Sequence, residues 1–465
     1  MPSPHAASCP HAYPQPVELL QDLIRFDTTN PPGNEGPCIV YLRDLLASAG
    51  CETTILARVP QRPNLISRLR GQGKAAPLLL YGHVDVVTAA DQQWQQPPFE
   101  GNLADGWVWG RGALDMKGGL AMMLAAFLRA KLALSPDEIG TEGTEDLPLP
   151  GDVVLAVVSD EEGGGDYGAR YLVESHASLF EGVRYAIGEF GGFSFHFGGR
   201  RFYPIMVAEK EACWLRATVR GVGGHGSLSG RASAMARLGR LLELLERRPL
   251  PVHITPVARQ MCEALSCSLP FPSSLLVRQL LNPRLAPWVL TLLGEKGRVF
   301  LPLFRNTVNP TMVHGGDQIN VAPGEVVIDL DCRLLPGYSP ANLTAEVRQA
   351  VGNAVDLELV RHDPGPAAPF KGRAAPDMGL FGTLEDVLRE ADPQGIPIPM
   401  LLPATTDARF FSRLGIQTYG FLPMALPPGF NFWKTVHGPD ERIPAEALDF
   451  GTEAIYQLLH RFGGK

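Results

Sequence analysis

Short apolar segments typical of β-strands alternate with segments of helical periodicity from residue 16 to residue 190. Residues 77–81 and 153–158 are clear strand segments, and residues 116–132, rich in Ala, Leu and Met, form the strongest predicted helix of this half. Strands that alternate with helices predict a sheet covered by helices on both faces. This alternation limits the possible folds more than any other feature of the chain, and it predicts the α/β class.

The pattern changes after residue 190. Two strands predicted to pair come first, then a helix, a strand, a helix and a strand, at residues 201–207, 213–219, 232–247, 326–334, 339–351 and 357–360. A β-α-β-β-α-β order is typical of a small α+β unit. From about residue 377 the α/β pattern returns, with a final helix at 445–462.

The simplest division is therefore a discontinuous α/β catalytic domain whose chain leaves to build a second domain and then comes back. We predict residues 1–208 and 372–465 for the first domain and residues 209–371 for the second. Within the second domain, residues 248–305 form a helical insertion broken by prolines. The sequence does not assign a role to this insertion.

Composition and charge exclude several classes of protein. The 465 residues are 45% hydrophobic, enough for sizeable cores, and 41 basic against 49 acidic residues give a net charge of -8. Such a field repels nucleic acid and anionic lipid, so we expect neither as a partner. The uncharged stretch at residues 118–128 is well short of the ~20 residues that span a bilayer.

The first 16 residues and the cysteines bear on the compartment. Those residues have neither a basic start nor an apolar segment long enough for a secretory signal, so we expect a cytoplasmic protein. Seven scattered cysteines form no CxxC pair, which favours reduced thiols over a disulfide framework.

Histidines and carboxylates follow the predicted strands of the α/β domain. His83 and Asp85 come just after an apolar strand. Glu189 comes at the end of another, in the segment GEFGG. Open α/β sheets carry their functional side chains at the carboxyl ends of strands. Taken alone, the pair at 83 and 85 indicates an ordinary hydrogen-bonded or solvent-facing pair more strongly than a metal site.

Three further segments add to this set. Asp115 lies in a glycine-rich turn before the helix at 116–132 and, by itself, reads as a helix N-cap. Glu161 and Glu162 belong to three consecutive acids after the strand at 153–158, where a solvated turn is the ordinary interpretation. His437 near the C-terminus is uninformative on its own.

Together, two histidines and several carboxylates without a thiolate suit two divalent ions that share one carboxylate. Zinc is the first expectation, with manganese or cobalt as alternatives. Two metals polarise a carbonyl and lower the pKa of a bridging water toward ~7, while a free carboxylate takes its proton. The set therefore indicates metal-assisted hydrolysis.

The motifs GHVDVV, GRGALDMKGG, SDEEGGG, GEFGG and VHGPDERIP, in this order, resemble those of a known family of dinuclear zinc enzymes. Its members include aminoacylase, acetylornithine deacetylase, succinyl-diaminopimelate desuccinylase and glutamate carboxypeptidase. The resemblance implies a zinc-exopeptidase-like catalytic domain and a ferredoxin-like lid and dimerisation domain. It covers nearly the whole chain.

The resemblance also implies roles for individual residues. Asp115 would bridge two zinc ions; His83 and Glu189 would complete one site, Glu162 and His437 the other. Glu161 would be the general base, and Asp85 the partner of His83. A cis peptide is implied after Asp115.

Further implied roles lie in the second domain. His225, in GVGGHGSLS, would stabilise the oxyanion in the partner subunit's active site, which makes a homodimer through the lid domain the expected assembly. Asn320 and Arg333 would hold the substrate's free carboxylate. A TDAR-type segment with Thr406, Asp407 and Arg409 would line the pocket, without individual roles.

One motif departs from the family pattern. The ligand segment reads GEFGG where the aminoacylase branch more often reads NEGG, so Phe190 replaces a glycine. Glutamate rather than aspartate at position 189 favours deacylases over aminopeptidases.

The predicted function is hydrolysis of the amide bond of an N-acyl amino acid, or of a peptide with a free carboxylate. The mechanism would use a metal-bridging hydroxide with Glu161 as general base. The alternatives are a dipeptidase or carboxypeptidase of the same family and, from another class, a two-metal phosphoesterase. GVGGHG and GEFGG lack the Lys-Ser/Thr of a phosphate-binding loop, which disfavours the last.

Overall fold

The computed structural model describes residues 14–134, 148–228, 232–294, 300–352, 355–365 and 376–463. The chain divides into two compact units. The first comprises residues 1–206, 377–398 and 416–465, and the second comprises residues 207–376 and 399–415. The division predicted from the sequence differs from these units mainly at residues 399–415, which it assigned to the catalytic domain. Its predicted boundary at 371/372 lies outside the described residues. The names catalytic and lid domain stay predictions.

The strands are numbered in chain order. They are β1 (Thr53–Ala57), β2 (Pro63–Leu69), β3 (Leu78–His83), β4 (Leu103–Ala104), β5 (Trp107–Trp109), β6 (Val153–Val158), β7 (Tyr185–Gly188), β8 (Phe195–Phe197), β9 (Arg200–Glu209), β10 (Glu211–Arg220), β11 (Gly224–His225), β12 (Thr307–His314), β13 (Val321–Ala322), β14 (Glu325–Leu334), β15 (Asp356–His362), β16 (Gly395–Leu402), β17 (Gln417–Gly420) and β18 (Arg442–Pro444).

The α-helices are numbered in the same way. They are α1 (Pro16–Arg25), α2 (Gly36–Ser48), α3 (Lys117–Ala133), α4 (Ala169–Ser175), α5 (Ala234–Arg247), α6 (Pro256–Ser268), α7 (Ser273–Gln279), α8 (Ala286–Leu292), α9 (Pro340–Val351), α10 (Phe381–Ala391), α11 (Ala408–Phe411), α12 (Phe432–Thr435) and α13 (Ala445–Arg461). Within the described residues, no helix has the length and apolar character needed to cross a bilayer.

A nine-stranded mixed sheet forms the centre of the first unit. Its order is β1-β2-β6-β3-β7-β17-β9-β16, with β8 paired to β9. The four strands β6, β3, β7 and β17 run parallel to one another. Every residue of β3 and β6 is buried, because parallel strands at the centre of such a sheet are covered on both faces. The α/β prediction is confirmed.

Helix α3 is apolar along nearly its whole surface and packs against α1, α13 and strand β3. A helix that is apolar all round is buried in the interior rather than half exposed. It therefore fixes the position of the turn that precedes it.

The second unit contains a four-stranded antiparallel sheet in the order β12-β14-β10-β15. With α5 and α9 between the strands, the order along the chain is β-α-β-β-α-β. The sequence analysis named this order but counted the segment at 201–207, which belongs to the large sheet, and did not include β12. Alternate residues of β14 are buried, and these pack with α5 and α9 in one apolar core. Ser339 caps α9 in a capping box with Asn342.

One predicted strand pairing is wrong. Strand β9 belongs to the large sheet, whereas β10 pairs with β14 and β15. Two adjacent apolar strands suggest a hairpin from local sequence, but β9 pairs with the preceding β8 and with strands of the large sheet, and the partners of β10 lie more than 100 residues away in the chain. The cysteines that the structure describes are free thiols, as expected.

Candidate metal centre

Three neighbouring parallel strands end at the candidate site. Strands β6, β3 and β7 lie side by side, so their carboxyl ends share one edge of the sheet. His83 is the last residue of β3, Glu161 and Glu162 follow β6, and Glu189 follows β7 directly. The structure thereby brings side chains from three separate segments to one place.

Asp115 reaches the same place from the turn between β5 and α3. The backbone amides of Leu114 and Asp115 donate hydrogen bonds to Glu441 Oε1, at 2.8 and 3.1 Å. Met116, not Asp115, occupies the N-cap position of α3, so the carboxylate does not serve as the helix cap. The peptide bond between Asp115 and Met116 is cis, as the resemblance implies.

His437 comes from the C-terminal part of the chain. It lies between α12 and β18, and β18 pairs antiparallel with β5. Because Asp115 follows β5 and His437 precedes β18, this pairing sets the two residues close together.

The five side chains form two groups that share Asp115. In the first group, His83 Nε2 lies 3.2 Å from Asp115 Oδ1 and 3.3 Å from Glu189 Oε2. In the second, His437 Nε2 lies 3.1 Å from both Asp115 Oδ2 and Glu162 Oε1. Each oxygen of Asp115 thus faces one histidine.

The two groups differ in burial. His83, Asp115 and Glu189 are buried, whereas Glu162 is half-buried and His437 is exposed. The first group is closed off from solvent, and the second opens to it. A small molecule therefore reaches the centre from the side of Glu162 and His437.

Burial and mutual repulsion disfavour the charged forms of two carboxylates at the site. Burial and the charge of Glu161 raise the pKa of Glu189 well above its ordinary value. Burial raises the pKa of Glu162 to about 7, with further contributions from the charges of Asp115 and Glu161. Like charges at this density need a cation to offset them.

The histidines shift in the opposite direction. Burial lowers the pKa of His83, but the charge of Glu189 and hydrogen bonds with Asp115 and Asp85 outweigh it, and the net change is upward. The same balance raises the pKa of His437 to about 11. In both cases carboxylates favour a positive charge at the position of the imidazole proton.

A divalent cation would supply that positive charge, and the donor set fits one. Two imidazoles and three carboxylates are ligands typical of zinc, manganese or cobalt. Among the residues that the structure describes, Glu189 Oε1 is buried without a hydrogen-bond partner. A buried carboxylate oxygen left unpaired is costly, and a metal ion beside it would satisfy it.

Asp85 contacts His83 through its backbone and its side chain. His83 Nδ1 lies 2.9 Å from the backbone carbonyl oxygen of Asp85 and 3.6 Å from its carboxylate oxygen Oδ1. The carboxylate also accepts hydrogen bonds from the backbone amides of Glu161 and Glu162, both at 3.1 Å. Asp85 therefore fixes the turn that carries these two glutamates.

The sequence interpretation missed a buried ion pair between Arg111 and Glu441. Their side chains are 2.7 Å apart and almost fully buried, and Arg111 also donates to the carbonyl oxygens of His437 and Gly438. Glu441 accepts the amides at Asp115, so the pair connects the segments of two candidate ligands. Both residues lie inside quoted motifs, which was the available signal.

Asn30 is another residue that the sequence analysis did not identify, and it lies outside the quoted motifs. It is buried, and its Nδ2 donates to Asp85 Oδ2 at 2.8 Å and to Asp160 Oδ1 at 3.1 Å. Arg62 forms ion pairs with Asp160 at 2.8 Å and with Glu35 at 2.6 Å. These contacts hold the acidic turn after β6 from behind.

The predicted substrate-binding residues lie in the second unit. His225 is exposed on β11, with Nδ1 2.8 Å from Ser227 Oγ. Asn320 is exposed beside it, because β11 pairs with β13 and the carbonyl of Asn320 accepts the amide of Gly226. Arg333, near the end of β14, donates to Thr405 Oγ1 at 2.8 Å and pairs with Asp331.

The TDAR-type segment also belongs to the second unit. The amide and hydroxyl of Thr406 both donate to Glu209 Oε2 at 2.7 Å. Arg409 donates to the carbonyl of Thr406 at 2.8 Å, and Asp407 is buried. These contacts make Thr406 the anchor of α11.

Two metal-ligand groups that share one aspartate, at the carboxyl ends of parallel strands, are typical of a two-metal hydrolase. Comparison with known proteins agrees with this class. The model of peptidase family M20/M25/M40 matches residues 79–461, so the chain belongs to this family. Family membership places it among the hydrolases of amide and peptide bonds.

Individual relatives are more distant. The chain is 27% identical over 394 residues to the human N-fatty-acyl-amino acid synthase/hydrolase PM20D1. This alignment covers 82% of this chain and 73% of that protein. It is 25% identical over 452 residues to aminoacylase-1 from Sus scrofa, covering 95% and 94%.

The fold has solved counterparts. One is an M20 family metallo-carboxypeptidase, Sso-CP2, from Sulfolobus solfataricus, with a TM-score of 0.67 and 16% identity over 96% of this chain and 99% of that one. At this identity the likeness supports the fold alone.

Proposed function

We propose that the protein hydrolyses the amide bond between an acyl group and an amino acid with a free carboxylate, with two divalent metal ions, zinc first, as cofactors. The observation that carries this proposal is Asp115, whose two carboxylate oxygens lie 3.2 and 3.1 Å from the histidines of two separate ligand groups. A shared aspartate of this kind is what a pair of closely spaced ions requires.

His83, Asp115 and Glu189 would hold one ion, and Asp115, Glu162 and His437 the other. When bound, such ions polarise the scissile carbonyl and make a water between them acidic. Asp85 accepts the backbone amide of Glu161, and Asn30 donates to Asp85, so these contacts hold the glutamate turn in position.

Glu161 is the proposed general base. Glu161 is half-buried. Its charge contributes to the raised pKa values of both Glu189 and Glu162, because its carboxylate lies near the two ligand groups. It would take the proton of the attacking water and pass it to the leaving amine. Asp85 positions it by accepting its backbone amide.

The family resemblance supports three further roles. His225 would donate a hydrogen bond to the oxyanion in the active site of a second copy of the chain, within a homodimer. Asn320 and Arg333 would hold the free carboxylate of the substrate, since Arg suits bidentate capture of a carboxylate.

Glu161→Gln tests the mechanism. The substitution keeps the shape of the side chain but removes its basicity, so kcat should fall by about 10²- to 10⁴-fold while the metal content stays at the wild-type value. Glu174→Gln is the matched control, because Glu174 forms an exposed ion pair with Arg170 and is not among the candidate ligands. Near-normal turnover of the Glu161 variant would reject the general base.

A substrate panel tests the reaction. The metal-loaded enzyme is offered N-acetyl amino acids, dipeptides and a phosphate monoester, and products are identified by mass spectrometry. Release of amino acids from the N-acetyl compounds is expected. Turnover of dipeptides alone would make the protein a dipeptidase, and turnover of the phosphate ester alone would move it to another class.

A further inference from the structure

Four aromatic side chains lie directly beside the candidate ligand Glu189. We call Phe190, Phe193, Phe432 and Trp433 the aromatic wall. The ring of Phe190 stacks on Trp433 with centroids 5.8 Å apart and planes at 2°, and Phe193 stacks on Phe432 at 4.0 Å and 9°. Phe432 also meets Phe190 and Trp433 edge to face, so the four rings form one connected cluster.

The wall borders a pocket that reaches the candidate metal centre. Asp115 and Glu189 lie at its polar end. The remaining side chains that define it are apolar: Leu114, Phe190, Phe193, Leu422, Met424 and Phe432. Apart from Phe190, which is half-buried, these apolar side chains are buried, so a group that enters this pocket from the metal centre leaves water.

The pocket is small. Its interior has a volume of about 10 Å³, about the space that one water molecule needs. At most a methyl-sized group fits such a space, and a longer acyl chain does not. Apolar groups are stabilised by leaving water only while there is room for them, so chain length beyond a methyl group brings no gain here.

Phe190 adopts a backbone conformation that does not suit it. Its φ is +57°, a left-handed value that bulky residues rarely adopt and that glycine accepts readily. The ring contacts with Trp433 and Phe432 offset this strain. A phenylalanine kept in a position suited to glycine indicates that the ring itself has a use.

We propose that Phe190, stacked on Trp433, closes the apolar pocket and restricts the acyl group of the substrate to a short aliphatic chain. The inference rests on the proposed function, in which the acyl carbonyl would be held at the metal centre; this pocket is the apolar space beside its candidate ligands Asp115 and Glu189. Phe190 is then a specificity-determining residue of the hydrolysis.

A chain-length series tests this assignment. The substrates are the N-acetyl, N-butanoyl, N-hexanoyl and N-octanoyl derivatives of one amino acid, and kcat/KM is measured for each. The wild type is expected to favour acetyl and to lose at least about tenfold at hexanoyl, in the range that pocket size contributes to specificity.

Phe190→Gly should remove the limit. Glycine accepts the left-handed backbone, so the variant keeps its turn while the pocket opens, and the hexanoyl-to-acetyl ratio of kcat/KM should rise by at least about tenfold. Trp433→Leu removes the stacking partner of Phe190 and should raise the same ratio by a smaller factor. This second variant leaves the inference testable if the glycine variant does not fold.

Phe195→Ala is the matched control. Phe195 stacks on Phe197 at the edge of the large sheet and does not line the pocket, so its loss should leave the ratio unchanged. Far-UV circular dichroism and metal content of each variant report whether fold and metal centre are retained.

The outcomes separate the two proposals. A wild type that cleaves N-acyl amino acids but prefers octanoyl, or a ratio unchanged in both Phe190→Gly and Trp433→Leu, would overturn the assignment of Phe190 and leave the proposed function standing. A wild type that cleaves none of the acylated amino acids would overturn both.

Discussion

The candidate metal ligands of the first unit and the candidate substrate groups of the second are built differently. Asp115 is held from several directions. Its backbone amide donates to Glu441, which forms a buried ion pair with Arg111, and two histidines face its carboxylate. His225 and Asn320 lie exposed on a pair of two-residue strands. The first arrangement is complete within one unit, whereas the roles proposed for His225 and Asn320 require a further surface on which they act.

Both units bury a lysine against neutral groups. Lys117 of the first unit donates to the carbonyl oxygen of Phe26, and Lys210 of the second donates to the carbonyl oxygen of Arg305 and to the hydroxyl of Thr307. The first unit adds a buried ion pair next to its candidate site, since Arg111 meets Glu441 at 2.7 Å. That pair holds the site, whereas each buried lysine makes stability depend on pH.

The largest effect is expected from Arg111→Met. The substitution leaves the buried carboxylate of Glu441 without its partner, which costs about 3 to 5 kcal/mol of unfolding free energy. Arg25→Met is the control, since its pair with Asp22 is exposed and contributes little. Urea unfolding measures both. A loss below about 1 kcal/mol for Arg111→Met would mean that the pair does not support the site.

A smaller effect, on activity alone, is expected from His225→Asn. Loss of one donor to an oxyanion lowers kcat by about 10²- to 10³-fold, and because the residue is exposed, the melting temperature should not change. His314→Asn, at another exposed histidine of the second unit, should leave kcat unaltered. Unchanged turnover in His225→Asn would remove the proposed role.

Subunit mixing sharpens the same comparison. If His225 acts in the partner's active site, hybrids of Glu161→Gln and His225→Asn subunits contain one site with both wild-type residues, and activity returns on mixing. If both residues serve the same subunit, every site in the hybrid lacks one of them, and the mixture stays inactive.

The smallest effect concerns Lys210 and pH. Burial lowers the pKa of Lys210 to about 7 from its ordinary value of 10.5, with the charge of Arg333 acting in the same direction. Between these pH values the unfolded chain binds more protons than the folded one, so this lysine makes stability rise with pH, by at most about 1.4 kcal/mol per unit.

Lys210→Met should abolish that rise. The difference in unfolding free energy between wild type and variant should therefore move in favour of the wild type from pH 7 to pH 10, as measured by urea unfolding. The exposed Lys74→Met should show no such trend. A difference that is flat across this range would place the pKa of Lys210 near its ordinary value.

Much of the fold follows from local sequence. Apolar runs mark β3 and β6 to within two residues, and the position of Ser339 marks the start of α9. The ends of strands can also be predicted from the sequence, and for this reason His83, Glu162 and Glu189 could be expected at one edge of the sheet. Their roles as ligands stay predictions.

The rest depends on contacts between distant segments. Arg111 and Glu441 are 330 positions apart, and no local pattern announces a pair of that kind. Asp85 was expected beside His83, but the sequence did not reveal that its carboxylate also accepts two amides from the turn after β6. That choice depends on the arrangement of neighbouring strands, which the sequence alone does not fix.

The metal content of the wild type and of Asp115→Asn tests the central claim most directly. After chelation, reloading with zinc and dialysis, the wild type should retain two ions per chain, since two ligand groups share Asp115. Asp115→Asn should retain at most one, while Asp105→Asn, at an exposed position, should retain two. A wild type that holds fewer than two ions, or an Asp115 variant that holds two as tightly as the wild type, would contradict the account.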